Sequence, residues 1–234
     1  MAVQLISIVL PVYNQADHVA RVVRAYLHAF ERVPISVEWI LVPNGCRDAS
    51  VSVCKELVTE LPGVRCEESQ RTGWGAAVLH GLANAKGDLL CYTNLARTAP
   101  ADLVLVTLYG IANPGVVVKA NRKIRESAFR RLGSLLYNLE CRSLFNLSYW
   151  DINGTPKVFP REMQGLMSLT KTDDLIDLEF NVMCRERDYP VLEVPILSST
   201  RHGGASTTRL GSAFRMYKGA LDMAREHKRG KTIS

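Results

Sequence analysis

Apolar positions follow two different periods along the first half of the chain. Residues 4–11 form a nearly continuous apolar run rich in β-branched side chains, which predicts a buried strand. Beyond it, Val19, Val22, Val23, Tyr26, Ala29 and Phe30 recur three and four residues apart, the spacing of one helical face, with Asn14 placed to cap that helix. Residues 37–42 read as a second strand and Pro43-Asn44-Gly45 as a turn. Asp48 then caps a helix carrying Val51, Cys54, Leu57, Val58 and Leu61. The same alternation continues with a short strand at 64–68, a helix at 75–85, a strand at 89–93, a helix opened by Pro100 that runs to about Ala112, and a strand at 116–120. Strand and helix in turn imply an α/β fold with a doubly wound, mainly parallel sheet, whose ligands lie beyond the carboxyl ends of the strands.

The second half has a different rhythm. Residues 127–146 read as a helix with Arg130, Arg131, Asn138 and Arg142 set among apolar positions. A polar, turn-rich loop from Asp151 to Lys157 precedes Val158-Phe159, and Asp173 or Asp174 caps a helix that ends near Arg187. A strand at 191–197, a break at Gly203-Gly204 and a helix from about Arg209 to Lys228 complete the order. No repeat, low-complexity tract or linker interrupts it, so one domain over 1–234 is the simplest account.

Composition narrows the function classes. The chain has 234 residues, 47% of them hydrophobic, enough for one large core. No run approaches the ~20 apolar residues needed to cross a bilayer. The first apolar run is short and lacks a basic leader, so it does not read as a signal peptide, and a soluble, cytoplasmic protein is the default expectation. Six cysteines are scattered without a close pair or a histidine at metal-ligand spacing, and read as reduced packing residues. A net charge of +6 suits anionic ligands such as nucleotides, prenyl phosphates or an acidic membrane face. It is too mild and too evenly spread to indicate nucleic acid.

Several segments, in order, resemble family 2 glycosyltransferases, the group that holds the dolichol- and polyprenyl-phosphate sugar synthases. "SIVLPVYNQADHVARVV" is similar to the opening strand and helix of that family, and "EWILVPNGCRDAS" to its second strand and base-contacting turn. "RTGWGAAVLHGLANAKGDLLCYTNLARTAPADL" resembles the glycine-rich loop, helix and strand that lead to the D-x-D metal motif. "NRKIRESAFRRLGSLLYN" is similar to the arginine-bearing segment that holds phosphates, and "DINGTPKVFPRE" to a D-x-x-x-G loop followed by Lys or Arg. "DLEFNVMCRERDYPVLEVPI" and "RHGGAS" match the late helix, strand and glycine-rich loop.

The resemblance implies a GT-A fold of the nucleotide-diphospho-sugar transferase kind. Residues 1–113 would form the nucleotide-binding half, 114–208 the acceptor half, and 209–234 a basic amphipathic helix and tail. It implies a nucleotide-sugar donor and a polyprenyl-phosphate or glycan-precursor acceptor, with the protein in the cytoplasm or peripheral at the inner membrane face.

Each candidate residue carries its own chemistry beside a plainer reading. Pro11 and Tyr13 end the first strand where a nucleotide would lie, and also suit an ordinary strand end. Gln15 stands where the family pattern has an acid. Asn44 can donate to and accept from a base edge and Gly45 permits close approach, yet Asn-Gly is also a common turn pair. Arg71 and Gly73 precede a helix start suited to phosphate, while Trp74 either stacks or packs. Arg97, Arg122, Arg131 and Ser134 are the implied phosphate contacts, with Lys157, Arg201 and His202 beside them; a solvated helix face is the plainer reading of the arginines. Asp151, Asp177 and Glu179 are the candidate bases. Asp151 can instead cap its own loop, and Glu179 can instead pair with Arg185 or Arg187. The last helix carries Leu210, Phe214, Tyr217, Leu221 and Ala224 on one stripe, fitting either packing on the domain or a membrane surface.

Three acidic positions of the family pattern are neutral here. The D-x-D position reads Asn94-Leu95-Ala96, the second-strand turn reads Pro43-Asn44, and the opening acid is Gln15. Mg²⁺ or Mn²⁺ is the ion the family implies, but its ligands are degenerate and no cofactor follows from the chain itself. Two readings remain open: a transferase in which Arg97, Arg122 and Arg131 stabilise the leaving diphosphate without metal, and a paralogue that binds a nucleotide or lipid phosphate without turnover.

Overall fold

The computed structural model describes residues 3–122, 128–197, 202–203 and 210–230, with the side chains of 128–131 and 210–213 outside that description. The β-branched runs form strands β1 (Leu5–Val12), β2 (Ser36–Pro43), β3 (Val64–Cys66), β4 (Leu89–Tyr92) and β5 (Val117–Arg122). Between them run helices α1 (Val19–Phe30), α2 (Ser50–Glu60), α3 (Trp74–Asn84) and α4 (Pro100–Ala112). Then come α5 (Ala128–Phe145), β6 (Lys157–Pro160), the short α6 (Gln164–Met167), α7 (Ile176–Glu186), β7 (Val191–Ile196) and α8 (Leu210–Lys228).

All seven strands form one sheet in the order β3-β2-β1-β4-β6-β5-β7. It is parallel throughout except for β6, which runs antiparallel to both β4 and β5. Period-two alternation sends Ile6, Ile8, Leu10 and Val12 to one face, where Val22, Val23, Cys54, Leu57, Leu103 and Val106 of α1, α2 and α4 cover them. Val9, Ile40, Leu90 and Phe159 point to the other face, under Val78 and Leu82 of α3 and Ile176 and Phe180 of α7. Helices α5 and α8 pack outside α7 on Tyr137, Cys141, Leu178, Val182, Ala220 and Met223. The fold is therefore the expected three-layer α/β arrangement with one additional helical layer.

Local signals differ from expectation in three places. Asn14 does not cap α1; it sits at φ +50°, a region Asn tolerates, and its Oδ1 accepts from Arg47 N at 2.7 Å. Asp48 serves α2 from one residue further out than expected, accepting from Ser50 N at 3.0 Å and Ser50 Oγ at 2.6 Å while also holding Ala16 N at 3.0 Å. Asp173 likewise accepts from Leu175 N at 3.0 Å, just before α7. The cysteines are free, four of them buried, and none of the helices among the described residues is long and apolar enough to cross a membrane.

Candidate functional site

The carboxyl ends of β1, β2, β4 and β5 and the amino end of β6 meet at one edge of the sheet, because β6 is antiparallel and Lys157 pairs with Tyr92. Most of the expected site residues gather there. Pro11 is buried in β1 and Tyr13 is partly exposed just beyond it. Asn44 is buried and bonded within the chain. Its Nδ2 donates to Val12 O at 3.0 Å, and its Oδ1 accepts from Gly73 N at 3.2 Å, so it ties two strand ends to the entry of α3. These bonds hold the Asn44 amide within the chain, and Gly45 beside it is exposed at φ +60°. Gln15 is 8% exposed, and its Oε1 is buried with no hydrogen-bond partner among the described residues. Asn153, which the sequence did not single out, has a buried Oδ1 in the same condition. A buried acceptor left without a donor costs about 1–3 kcal/mol, which a ligand donor at either position would relieve.

The entry of α3 is not an open anion site. Gly73 sits at φ +140°, and a Cβ on it or on Gly75 would overlap the backbone of residues 171–173. Thr172 O accepts from Ala76 N at 2.8 Å, so the chain's own carbonyl occupies the helix N-terminus expected to hold phosphate. Arg71 stays exposed beside it. Glu179 fixes the same loop from α7: it is fully buried and accepts from Thr170 N, Thr170 Oγ1 (2.7 Å) and Lys171 N (2.8 Å). Among the described residues it makes no pair with Arg185 or Arg187, and its bonds to Thr170 and Lys171 hold the loop.

At the D-x-D position the chain makes a closed turn. Asn94 Oδ1 accepts from Ala96 N at 3.1 Å, while Leu95 and Ala96 are buried. Ala96 O accepts from His202 N at 2.9 Å, and His202 Nε2 lies 2.7 Å from Thr98 O. His202 thus clasps this turn, where a contact to ligand phosphate was expected. A divalent ion asks for several hard oxygen ligands. No carboxylate stands in the turn, and no metal-competent group of three His, Cys, Asp or Glu occurs among the described residues. The residues present do not fit the ion that the family resemblance implies. Arg97 is partly exposed in this turn. Ser134 is partly exposed on α5, Arg131 lies on the same helix with its side chain outside the described ones, and Arg201 lies outside the described residues.

Under this edge runs a row of charges that the sequence only partly revealed. Register sets Tyr92 of β4, Lys157 of β6, Lys119 of β5 and Glu193 of β7 side by side across four strands. Lys119 and Lys157 are both completely buried. Lys157 pairs with Asp177 on the first turn of α7, which also accepts from Tyr92 OH at 2.9 Å and Trp74 Nε1 at 3.1 Å. Lys119 donates to Trp150 O at 2.7 Å and Asn181 Oδ1 at 3.0 Å, with Glu193 at 3.5 Å. Arg122 grips Asp151 with Nε at 2.8 Å and Nη2 at 2.7 Å, and its backbone N–H adds a third bond at 2.9 Å. A Cβ on Gly154 would overlap Ala120 O, so only glycine lets the Asp151 loop lie this close to β5. Three cations therefore face three carboxylates, as burial demands. The structure brings Asp151 and Arg122, and Asp177 and Lys157, together as ion pairs, and Trp74 packs and donates to Asp177. Lys119, Glu193 and Asn181 were missed. A lysine inside the apolar strand Val117–Arg122 was the available signal, since lysine is seldom buried without a partner.

Burial, and then the charge of Lys157, push the Lys119 ammonium down to about 8 from its ordinary 10.5. The same burial lowers Lys157 against the pull of Asp177. Burial also opposes the charge on Arg122, yet Asp151 overrides it and the guanidinium pKa is raised. For Lys119 the folded value lies below the unfolded one, so between pH 8 and 10.5 the unfolded chain holds one proton more. Stability should therefore rise with pH in that window, by about 1.4 kcal/mol per pH unit for this group, and stay level below it. Urea unfolding across this range, compared with Lys119→Met, checks it: the variant should lack that increment. Equal slopes in both proteins would show that Lys119 titrates normally.

Comparison with known proteins fits this geometry. The family model described as "Glycosyl transferase family 2" matches residues 7–150. An undecaprenyl-phosphate 4-deoxy-4-formamido-L-arabinose transferase of Pseudomonas fluorescens (strain Pf0-1) is 26% identical over 211 residues, 87% of this chain and 60% of that protein. The protein of the same name from Sodalis glossinidius (strain morsitans) is 22% identical, over 88% of this chain and 63% of its own. The chain thus spans under two thirds of the length of these relatives. Among solved structures, glucosyl-3-phosphoglycerate synthase from Mycobacterium tuberculosis, in complex with Mn²⁺, UDP-glucose and phosphoglyceric acid, superposes with a TM-score of 0.70 at 15% identity. The match covers 94% of this chain and 78% of that one. Mannosyl-3-phosphoglycerate synthase from Rubrobacter xylanophilus gives a TM-score of 0.70 at 20% identity, covering 97% and 75%.

Proposed function

The chain belongs to glycosyl transferase family 2, and from that premise we propose that it transfers a sugar from a nucleotide-activated donor to a polyprenyl phosphate or related glycan precursor, without a divalent ion at the turn after β4. The observation that carries this reading is the sheet edge itself. Five strand ends meet there, and the turn after β4 is closed by Asn94 and His202 and offers no carboxylate. With acids absent there, a nucleoside diphosphate meets less repulsion, and Arg71 and Arg97 supply positive charge at the rim. Gln15 Oε1 and Asn153 Oδ1 are buried acceptors without a donor among the described residues.

A phosphate acceptor suits the remaining chemistry. Asp151 and Asp177 are engaged by Arg122 and Lys157, so neither is poised to take a proton from a sugar hydroxyl. An acceptor phosphate is already anionic near neutral pH and needs little help from a base. The same engagement of both carboxylates favours a second reading, a paralogue that binds such ligands without turnover.

Calorimetric titration of nucleotide sugars with EDTA or with Mg²⁺, followed by product analysis with a polyprenyl phosphate, tests both. Metal-independent binding with transfer supports the transferase. Binding without transfer over a broad acceptor panel favours the paralogue, and no nucleotide binding overturns both.

A further inference from the structure

We propose that α4 pairs with α4 of a second copy of this chain, antiparallel about a twofold axis, and so joins two copies into a reversible dimer. This goes beyond the transferase reading and does not rest on it. Helices α1, α2 and α4 cover the same face of the sheet. The first two turn polar and charged side chains outward: Arg21, Arg24 and His28 are exposed on α1, and Lys55, Glu56 and Glu60 on α2. Helix α4 does not. Leu103 and Val106 hold it to the core, and a Cβ on Gly110 would overlap Val158 of β6, so the helix is closely seated. Its exposed residues are Ala101, Leu105, Leu108, Tyr109 and Ala112, none of them charged. Leu105, Leu108 and Tyr109 are 39%, 40% and 43% exposed. A helix that is apolar all round is normally covered all round, and this one is covered on one side.

The spacing indicates what covers the other side. Ala101, Leu105, Leu108 and Ala112 stand four, three and four residues apart, the repeat of an apolar seam between two helices. The order Ala-Leu-Leu-Ala also reads the same in both directions. An antiparallel pair with its twofold axis between Leu105 and Leu108 therefore sets Leu105 against the partner's Leu108 and Ala101 against the partner's Ala112. Leucines then fill the centre, and alanines let the helix ends approach closely. A twofold contact demands this property, one patch complementary to itself. Tyr109 lies beside the seam, where an aromatic ring suits an interface.

Charge favours a copy over other occupants. Two chains of +6 repel one another over most of their surfaces, and this uncharged stripe is where they meet at least cost. It offers no cation to anionic headgroups. The pairing also leaves the site open. Helix α4 starts just beyond the turn after β4, at the edge where the site residues gather, so antiparallel helices place the two edges at opposite ends of the dimer. Four positions on one helix make a short seam, which puts the association in the micromolar range, roughly 1–100 µM.

Sedimentation velocity from about 1 to 200 µM tests the proposal. The wild type should pass from the mass of one chain to twice that mass over this range. Leu105→Glu/Leu108→Glu should weaken association by at least about tenfold, because it buries like charges against one another. Leu105→Glu/Leu108→Lys reads the direction of the pair. In the antiparallel arrangement each introduced carboxylate meets an introduced ammonium of the partner, so this variant should associate at least about tenfold more tightly than Leu105→Glu/Leu108→Glu. Both positions are exposed, so thermal unfolding of the variants should match wild type, and nucleotide-sugar binding should be unchanged. A wild type that keeps the mass of one chain at the highest concentration overturns the proposal, as does undiminished association of Leu105→Glu/Leu108→Glu. Equal weakening in the two variants overturns the antiparallel pairing. A single-chain wild type that floats with lipid vesicles, and loses this in Leu105→Glu/Leu108→Glu, would give the face to a bilayer instead. Because mass is read without donor or acceptor, failure here leaves the transferase reading standing, and the reverse holds too.

Discussion

Replacing Lys157 by methionine is expected to cost about 3–5 kcal/mol of folding stability. The ammonium is completely buried and paired with Asp177, which is itself 5% exposed. Methionine nearly matches the volume but leaves the carboxylate, among the described residues, with Tyr92 OH and Trp74 Nε1 as neutral donors. Adding Asp177→Asn removes the stranded charge, so the double variant should recover most of the loss, with a coupling of at least about 2 kcal/mol in the cycle. Urea unfolding reads both: the midpoint should fall in the single variant and return in the double, with little change in slope. A single-variant loss under about 1 kcal/mol would mean that the pair is not ionised in the folded protein.

The second large effect concerns Arg122. As a direct phosphate ligand, its loss would weaken ligand binding while Asp151→Asn left affinity equal or better, because a nearby negative charge would be gone. The geometry predicts otherwise. Arg122 spends Nε, Nη2 and its backbone N–H on Asp151, whose carboxylate is nearly buried in the loop that closes over β5. Arg122→Ala should cost about 2–4 kcal/mol of stability, less than a fully buried pair because the guanidinium is 21% exposed. Asp151→Asn should lower stability as well, and both should weaken donor binding by about tenfold or more through the same loosened loop. Arg122→Lys keeps the charge but not the fork, and should fall between. Unfolding and calorimetry on the set decide it; a normally stable Arg122→Ala that no longer binds nucleotide sugar would make Arg122 a direct ligand after all.

Much of the fold was legible because each element carried its own period. α4 runs from Pro100 to Ala112 as expected, since proline is tolerated in the first turn and the apolar face sustains the rest. The antiparallel β6 was not legible as such. Its four residues, Lys157–Pro160, carry no signal of direction, and its place between β4 and β5 is a matter of tertiary pairing. Asn14 misled for a similar reason: the residue that suits a cap also suits the left-handed turn it occupies.

The site was legible by residue type and less so by role. Asp151, Asp177, Arg122 and Lys157 stood out as charged residues in motif positions, but their pairing with one another depends on which strands are neighbours. Lys119 and Glu193 belong to strands far apart in sequence, and only the register between β5 and β7 brings them together. His202 was chosen for its chemistry and turned out to hold the turn at Ala96 and Thr98.

The central claim is a donor site that works without a divalent ion after β4, and calorimetric titration of nucleotide sugars in EDTA tests it most directly. Dissociation constants measured in EDTA and in Mg²⁺ should agree within about threefold, a difference under ~0.7 kcal/mol. Binding that appears only with Mg²⁺ or Mn²⁺, or loosens tenfold or more in EDTA (about 1.4 kcal/mol), would contradict it.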